Sequence, residues 1–233
     1  MALELVYTSA PRGLRPGTSG YATVACTRGM PAAYVEALET LSGYKPVFAA
    51  GDARAALNPV SFAHRRLTLG GKTVSVLSRV AFCGFDHTGR TNKLAHHLVL
   101  DRAEWVPGGP AWLLRQPQVL LERWDGEPRH LDAEPRLPAG DPGPAVAASW
   151  GTLTGDPGWA GALAETADGT TPRQAFLVFE PGLDVLPLIA EAIALLPPEM
   201  RWPRPEPWRP PSWPCRAPAI SSIDACLICL GLS

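Results

Sequence analysis

The sequence predicts an α+β fold: a mixed, largely antiparallel sheet with a few packed helices and long loops rich in proline and glycine. Helix-like and strand-like segments are mixed along the 233 residues, without an internal repeat. Two strand-like runs meet at Gly70-Gly71, which is a hairpin signal and indicates antiparallel pairing. The chain has 22 glycines and 26 prolines, and the prolines are concentrated after Asp101, which indicates long loops there.

Runs of β-forming and apolar residues predict strands throughout the first hundred residues. The first run alternates apolar and polar residues and ends at Pro11-Arg12-Gly13, after which a loop reaches Gly20. The predicted strands are residues 3–7, 21–27, 62–69, 72–80 and 94–100.

The clearest helix of the first half follows Pro31, because proline is tolerated in a first helical turn. Its apolar residues lie three or four positions apart and form one stripe, and Gly43 is the expected stop. The stripe consists of Tyr34, Val35, Leu38 and Leu41.

The second half is less regular. Residues 102–149 are rich in tryptophan, proline and glycine and predict loops, with at most a short helix near 111–115. A helix is predicted to begin at Asp156-Pro157, where an N-cap residue is followed by a first-turn proline. A continuous apolar run predicts a central strand at 174–180, and a strongly apolar helix is predicted at 183–196.

Charge and hydropathy argue against several classes of partner. The formal net charge of -1 gives no reason to expect binding to nucleic acid or to an acidic membrane. The N-terminus lacks the basic and apolar regions of a signal peptide, and no apolar run approaches the roughly 20 residues of a membrane-spanning helix. Five cysteines without framework spacing indicate a reducing compartment, so we expect a cytoplasmic protein.

The composition changes after Trp202, which divides the chain into a folded domain at 1–202 and a proline- and tryptophan-rich tail at 203–233. The tail contains PRPEPWRPPSWPCRAP and has neither alternation nor a helical period, so we expect it to be disordered and apart from the core. Two explanations stay open. The tail is either a polyproline-type segment that docks on a partner or the product of a shifted reading frame in a GC-rich gene.

The densest polar cluster runs from Asp86 to Asn92 and is followed by His96 and His97, with His64 on the preceding hairpin. Neighbouring imidazoles suit metal binding or acid–base chemistry. Adjacent residues of a strand point to opposite faces, however, so His96 and His97 cannot both ligate one ion from a flat strand. We therefore expect one structural histidine bonded within the core and the other exposed. A ligand or partner contact is a second interpretation, and metal binding or catalysis is a third.

Three arginines are candidates for an anion site. Arg28 lies on the N-terminal side of the helix after Pro31, where a helix dipole favours anions, and Arg12 and Arg90 lie in loops. They form a site only if the fold brings them together, and otherwise they are solvated or structural arginines.

Motifs of well-known enzyme classes are absent from the sequence. No glycine pattern matches a phosphate-binding or dinucleotide-binding loop, and neither a nucleophile elbow nor H-E-x-x-H is present. Cys226 and Cys229 have C-x-x-C spacing, but a zinc site needs a second pair of ligands. No catalytic residue, metal site or cofactor is therefore assigned, and we expect a protein that is not an enzyme.

Several blocks of the chain resemble a known family. VYTSAPRGLRPGTSGYATVACTRGMP, LETLSGYK, NPVSFAHRR and SRVAFCGFDHTGRTNKLAHHLVLD, in this order, are similar to the N-terminal domain, type two, of the bacterial GTPase-associated proteins. The resemblance covers about residues 3–201 and departs from the family at the proline-rich tail. It implies an adaptor that works beside a small GTPase or an associated module in a bacterial signalling or conflict system, and it carries no reaction chemistry.

The sequence thus predicts a non-enzymatic interaction domain, and two alternatives stay open. One is a small-ligand or nucleotide sensor with an anion pocket of arginines and histidines, and the other is a hydrolase built on the histidine–aspartate cluster. Five tryptophans between residues 105 and 159 are of the residue type that interfaces favour. The candidate ligand- or partner-binding residues are Arg12, Arg28, His64, Arg90, Asn92, His96 and His97.

Overall fold

A six-stranded sheet forms the centre of the protein. The structure, a computed structural model, describes residues 1–167 and 175–202 and the backbone of a strand at 226–230. The strands predicted in the first hundred residues are confirmed, whereas the sixth lies in the loop-rich stretch and is not indicated by the sequence. In chain order they are β1 (Leu3–Ala10), β2 (Gly20–Thr27), β3 (Ser61–Leu69), β4 (Lys72–Phe85), β5 (Thr91–Leu100) and β6 (Arg129–Leu131).

The sheet is mixed and largely antiparallel, as predicted. Its strand order is β3-β4-β5-β1-β2-β6, and only the pairing of β2 with the short β6 is parallel. The hairpin between β3 and β4 turns at Gly70 and Gly71, with φ of 57° and 79°. Two successive residues with positive φ are what a two-residue hairpin turn requires, and glycine adopts them without steric cost.

One face of the sheet is covered by the helix α1 (Ala32–Leu41). Its residues Tyr34, Val35 and Leu38 are buried against a cluster that includes Leu5 of β1 and Val99 of β5. The predicted apolar stripe is therefore confirmed. The helix ends at a C-cap on Ser42, one position before the expected glycine.

The opposite face is covered by α2 (Gly109–Leu114), by the loop that follows it, by the start of the helix at Leu186–Ala194 and by Trp202. Leu77 and Leu98 of the central strands pack there with Leu113 of α2 and with Trp202. The short helix predicted near 111–115 is thus present, and it packs on this face of the sheet.

The C-terminal part adds helices and a small second sheet. It contains α3 (Ala148–Thr154), α4 (Trp159–Ala167), β7 (Ala175–Phe179), α5 (Leu186–Ala194) and β8 (Cys226–Leu230). The helix predicted from Asp156-Pro157 is assigned from Trp159, and Asp156 Oδ1 accepts the backbone N–H of Gly158 at 2.7 Å, which is the predicted N-cap hydrogen bond. Among the described residues, no helix is long and apolar enough to cross a bilayer.

The prediction that β7 is a central strand is wrong. Phe176 and Val178 are 50% and 64% exposed, while Leu177 and Phe179 face a cluster beneath the strand. A continuous apolar run marks a strand buried on both faces only when a second layer covers it, and the described residues supply one layer here. The strand pairs with β8, so residues 226–230 differ from the disordered tail that we expected, and the rest of that tail lies outside the described residues.

Candidate functional site

A cleft of about 640 Å³ lies at one end of the sheet. There β1 and β4 end, β5 begins, and residues 123–128 pass across the face that lies opposite α1. Its lining includes Ser9, Asp86, Asn92, Phe85, Trp124 and Arg12. Part of the polar cluster predicted from the sequence is therefore found in a concave site.

Asp86 organises the turn between β4 and β5. Its side chain is 1% exposed, and its Oδ1 accepts the hydroxyl of Thr88 at 2.7 Å and the backbone N–H of Arg90 at 3.0 Å. Its Oδ2 accepts the hydroxyl of Ser9 at 2.8 Å, which ties the turn to the end of β1. The hydrogen bond from Thr88 is the main reason that the pKa of Asp86 lies far below its usual range.

Asn92 joins the beginning of β5 to the end of β1. Its Oδ1 accepts the backbone N–H of Ser9 at 3.1 Å and that of Lys93 at 2.8 Å, and its Nδ2 donates to the carbonyl of Ser9 at 3.4 Å. The hydroxyl of Thr8 donates to the carbonyl of Lys93 at 2.8 Å. These bonds engage both ends of the buried amide within the fold.

Because of these bonds, we expect Asn92→Ala to lower the free energy of unfolding by about 1–3 kcal/mol, the cost of leaving buried polar groups unpaired. His87→Ala, at the exposed tip of the same turn, is the control and should cost less than about 1 kcal/mol. Urea unfolding followed by circular dichroism measures both. Equal losses for the two variants would contradict a structural role for Asn92.

The mouth of the cleft carries aromatic and charged side chains. Phe85 is 59% exposed, and Trp124 is partly buried with the guanidinium of Arg129 4.7 Å from its ring centroid. Arg12 Nη2 lies 3.0 Å from Glu127 Oε2, in an ion pair whose two side chains are 70% and 86% exposed. Such an exposed pair contributes about 0–1 kcal/mol, so it separates easily when a partner competes for either charge.

His96 and His97 point to opposite faces of the sheet, as predicted, but neither is exposed. His96 is 2% and His97 0% exposed, so the expectation of one exposed histidine is wrong. His96 Nδ1 accepts the backbone N–H of Leu121 at 2.8 Å, and its Nε2 lies 2.9 Å from Glu4 Oε1. Sequence alone did not reveal that layers on both faces of β5 cover this position.

His97 is held under α1 by two serines. Ser42 Oγ donates to the carbonyl of Leu38 at 2.9 Å, so the same oxygen accepts from His97 Nε2 at 3.0 Å. His97 Nδ1 therefore accepts the hydroxyl of Ser78 at 2.7 Å, and the imidazole is neutral with its hydrogen on Nε2. Burial, followed by the nearby His96 and Arg65, lowers the pKa of His97 to about 3.

His64 lies apart from the cleft, on β3. Its Nε2 is 3.1 Å from the hydroxyl of Ser75, and its ring meets the edge of Trp202 at a centroid distance of 5.4 Å. Burial, followed by the charge of Arg66, lowers the pKa of His64 to about 4. Among the described residues, no group of three potential ligands could hold a metal ion.

The three candidate arginines are not brought to one site. Arg12 is at the cleft, and Arg90 pairs with Asp86 at the adjoining turn, with 3.5 Å between nitrogen and oxygen. Arg28 follows the far end of β2 and pairs with Asp132, with 2.5 Å between Nε and Oδ1. Eight residues of an extended strand therefore separate Arg28 from the end of the sheet that holds the cleft.

The tryptophans of the loop-rich stretch are mostly packing residues. Trp105 stacks on Trp202 with a centroid distance of 5.0 Å, and Trp150 donates from Nε1 to the carbonyl of Leu188 at 2.8 Å. Trp159 is 56% exposed. Fewer of these tryptophans are therefore exposed to a partner than their number in the sequence indicated.

The cleft also contains residues that the sequence did not single out. Phe85 and Trp124 have no motif around them. The register of the strands brings Ser9 and Phe85 together, and the loop at residues 123–128 adds Trp124. The thiol of Cys83 lines the cleft as well, and burial is the main reason that its pKa is raised. A protonated thiol is a poor nucleophile.

Comparison with known proteins gives one match. Residues 1–139 match the family model described as GTPase-associated protein 1, N-terminal domain type 2. Searches of the curated proteins and of the solved structures gave no match. The matched residues include all six strands of the main sheet, α1, α2 and the whole lining of the cleft.

Proposed function

The chain belongs to the GTPase-associated protein 1 family through its N-terminal domain of type 2, and from this premise we propose that it is a non-enzymatic adaptor domain that docks a protein partner at the cleft. The partner is a small GTPase or a module associated with one, within a bacterial signalling or conflict system. The proposal includes a cytoplasmic location, which the unpaired Cys26 and Cys83 favour.

One observation carries the proposal: Phe85 is 59% exposed at the mouth of a cleft in which Ser9, Asp86 and Asn92 are already bonded within the fold. A large exposed aromatic side chain beside a concave surface is typical of a residue that anchors a protein interface. Asp86 and Asn92 are engaged by hydrogen bonds from within the fold, so they shape the cleft and leave its rim to recognise a partner.

The placement of the charged candidates favours this reading over the alternatives. A sensor pocket needs its arginines and histidines to converge, whereas Arg28, His64 and His97 lie in three other parts of the fold. A hydrolase needs a nucleophile beside a base, and the histidines at 96 and 97 are bonded into opposite faces of the sheet.

The proposal is tested by affinity capture from a lysate of the source organism with the full chain as bait, in GTP, in GDP and without nucleotide. We expect enrichment of a GTPase whose recovery depends on the nucleotide, read by mass spectrometry. Phe85→Ser should reduce that recovery about tenfold or more, as loss of a central anchor does.

Phe176→Ser is the matched control, because Phe176 is also a half-exposed phenylalanine on a strand, at 50% exposure, but lies in the C-terminal part. We expect it to capture the GTPase as the unmodified chain does. The proposal is wrong if no GTPase is enriched in any condition, or if both variants capture one equally well.

A further inference from the structure

A second surface at the same end of the sheet lies on the face that α1 covers. It consists of Tyr7, Tyr21 and Lys93, and we refer to it as the tyrosine–lysine surface. The two rings stack with centroids 6.2 Å apart and planes 9° apart, and Lys93 Nζ lies 5.0 Å from the centroid of Tyr21 and 5.8 Å from that of Tyr7. The hydroxyl of Tyr21, which is 44% exposed, donates to the carbonyl of Thr91 at 2.8 Å and fixes the ring.

Lys93, unlike Lys72 and Arg54, has no carboxylate paired with it among the described residues. Lys72 Nζ lies 2.6 Å from Asp101, and Arg54, which also stacks on a ring, is 3.1 Å from Asp52. Burial lowers the pKa of Lys93, so its ammonium group is partly desolvated without receiving an ion pair in return.

Two carboxylates act electrostatically on the tyrosines of this surface, and both accept hydrogen bonds from within the fold. Glu39 of α1, whose charge acts on Tyr7, accepts the hydroxyl of Thr23 at 2.6 Å. Asp86, whose charge acts on Tyr21, is bonded by its own turn and by Ser9. Among the described residues, no carboxylate is therefore paired with Lys93, and a carboxylate of a bound partner can take that place.

We propose that the tyrosine–lysine surface binds an acidic segment of the protein partner, with a carboxylate on Lys93 and the methylene groups of that side chain against the two rings. Stacked tyrosines supply rigid contact area at low entropic cost, and a half-desolvated ammonium group gains more from an ion pair than a fully hydrated one. The inference rests on the proposed function and deepens it, since it assigns the charge of the docked segment.

A carboxylate suits this surface better than a phosphate group does. The surface offers a single ammonium group on a sheet face, whereas phosphate sites generally combine several donors, such as arginine forks or the backbone N–H groups of a helix N-terminus. The two rings beside the ammonium group are matched by the aliphatic stem of a glutamate side chain.

The test is a titration of the full chain, labelled in its tyrosine rings, with a capped hexaglutamate peptide and observation by NMR. We expect the ring signals of Tyr7 and Tyr21 to move, and the affinity to fall about tenfold in Lys93→Met, which keeps most of the side-chain length but loses the charge. Lys72→Met is the matched control and should bind as the unmodified chain does. Hexalysine should not move these signals.

Three results would overturn the inference: ring signals that stay fixed, an affinity that Lys93→Met leaves unchanged, or equal movement with inorganic phosphate, which would make this a site for small anions. The outcome is separate from that of the affinity capture. If hexaglutamate binds at Lys93 but no GTPase is captured, the proposed partner is wrong and the inference about the tyrosine–lysine surface stands. If a GTPase is captured but Lys93→Met binds hexaglutamate as tightly as the unmodified chain does, the proposed partner stands and the inference about the surface is wrong.

Discussion

Replacing Arg201 with alanine is expected to lower the free energy of unfolding by about 3–5 kcal/mol, the usual cost of breaking a buried, hydrogen-bonded charge network. Arg201 is 3% exposed. It donates to the carbonyls of Leu196, Ala194 and Pro107 at 2.9, 3.1 and 3.0 Å, and to Asp141 Oδ1 at 2.8 Å. The variant would leave carbonyls at the end of α5 and after β5 without a donor.

Urea unfolding measures this loss, with Arg28→Ala as the matched control. Arg28 also pairs with an aspartate, but its side chain is 63% exposed, so its removal should cost less than about 1 kcal/mol. A large loss with one cooperative transition would show that the helices after residue 140 fold together with the part that the family model matches. Similar small losses for both variants would contradict this role of Arg201.

The second large effect is expected on acidification, because His97 is neutral when folded. Its pKa is about 3 in the folded chain and about 6.5 when unfolded, so below pH 6.5 the unfolded chain binds a proton that the folded chain does not. The contribution of His97 to the free energy of unfolding is therefore fully present above pH 6.5 and is lost as the pH falls toward 3. Between pH 7 and pH 5 the loss from His97 alone is about 2 kcal/mol.

His64, with a pKa of about 4, acts in the same direction. Between pH 6 and pH 5 the slope of the unfolding free energy against pH therefore approaches the value for about two protons taken up on unfolding. The measurement is the urea unfolding free energy across this range. His97→Gln should reduce the slope of the unfolding free energy against pH by about one bound proton. If stability did not change between pH 7 and pH 5, buried neutral histidines would be ruled out.

The sequence predicted the main sheet well because its signals there are local. Turn glycines at 70 and 71 fix the β3–β4 hairpin, and the three- and four-residue spacing of Tyr34, Val35 and Leu38 fixes the face of α1. Such patterns depend on neighbours along the chain, so they can be read from the sequence without knowledge of the tertiary contacts.

Features that depend on what covers a strand could not be predicted in the same way. The apolar run of β7 looks like a buried strand, yet Val178 is 64% exposed because no described layer covers that face. Conversely, His96 is polar and is buried, since the loop at Leu121 passes over it and donates a hydrogen bond.

The candidate site was predicted in part. The turn from Asp86 to Asn92 is at the cleft, as its polar composition indicated, and Arg12 reaches the cleft from a separate loop. Arg28 is excluded because strand length places it at the other end of β2. The pairing of Tyr7 and Tyr21 with Lys93 depends on the register of three strands, which no short motif encodes.

The central claim is that the cleft end of the sheet is the docking surface for a GTPase. The most direct test is hydrogen–deuterium exchange of the full chain, alone and in complex with the GTPase recovered by affinity capture, loaded with the nucleotide that favours binding. We expect slower exchange in the complex at residues 83–92 and 123–128, with little change at α3 and α4. Unchanged exchange at the cleft, or protection confined to the C-terminal helices, would contradict the account.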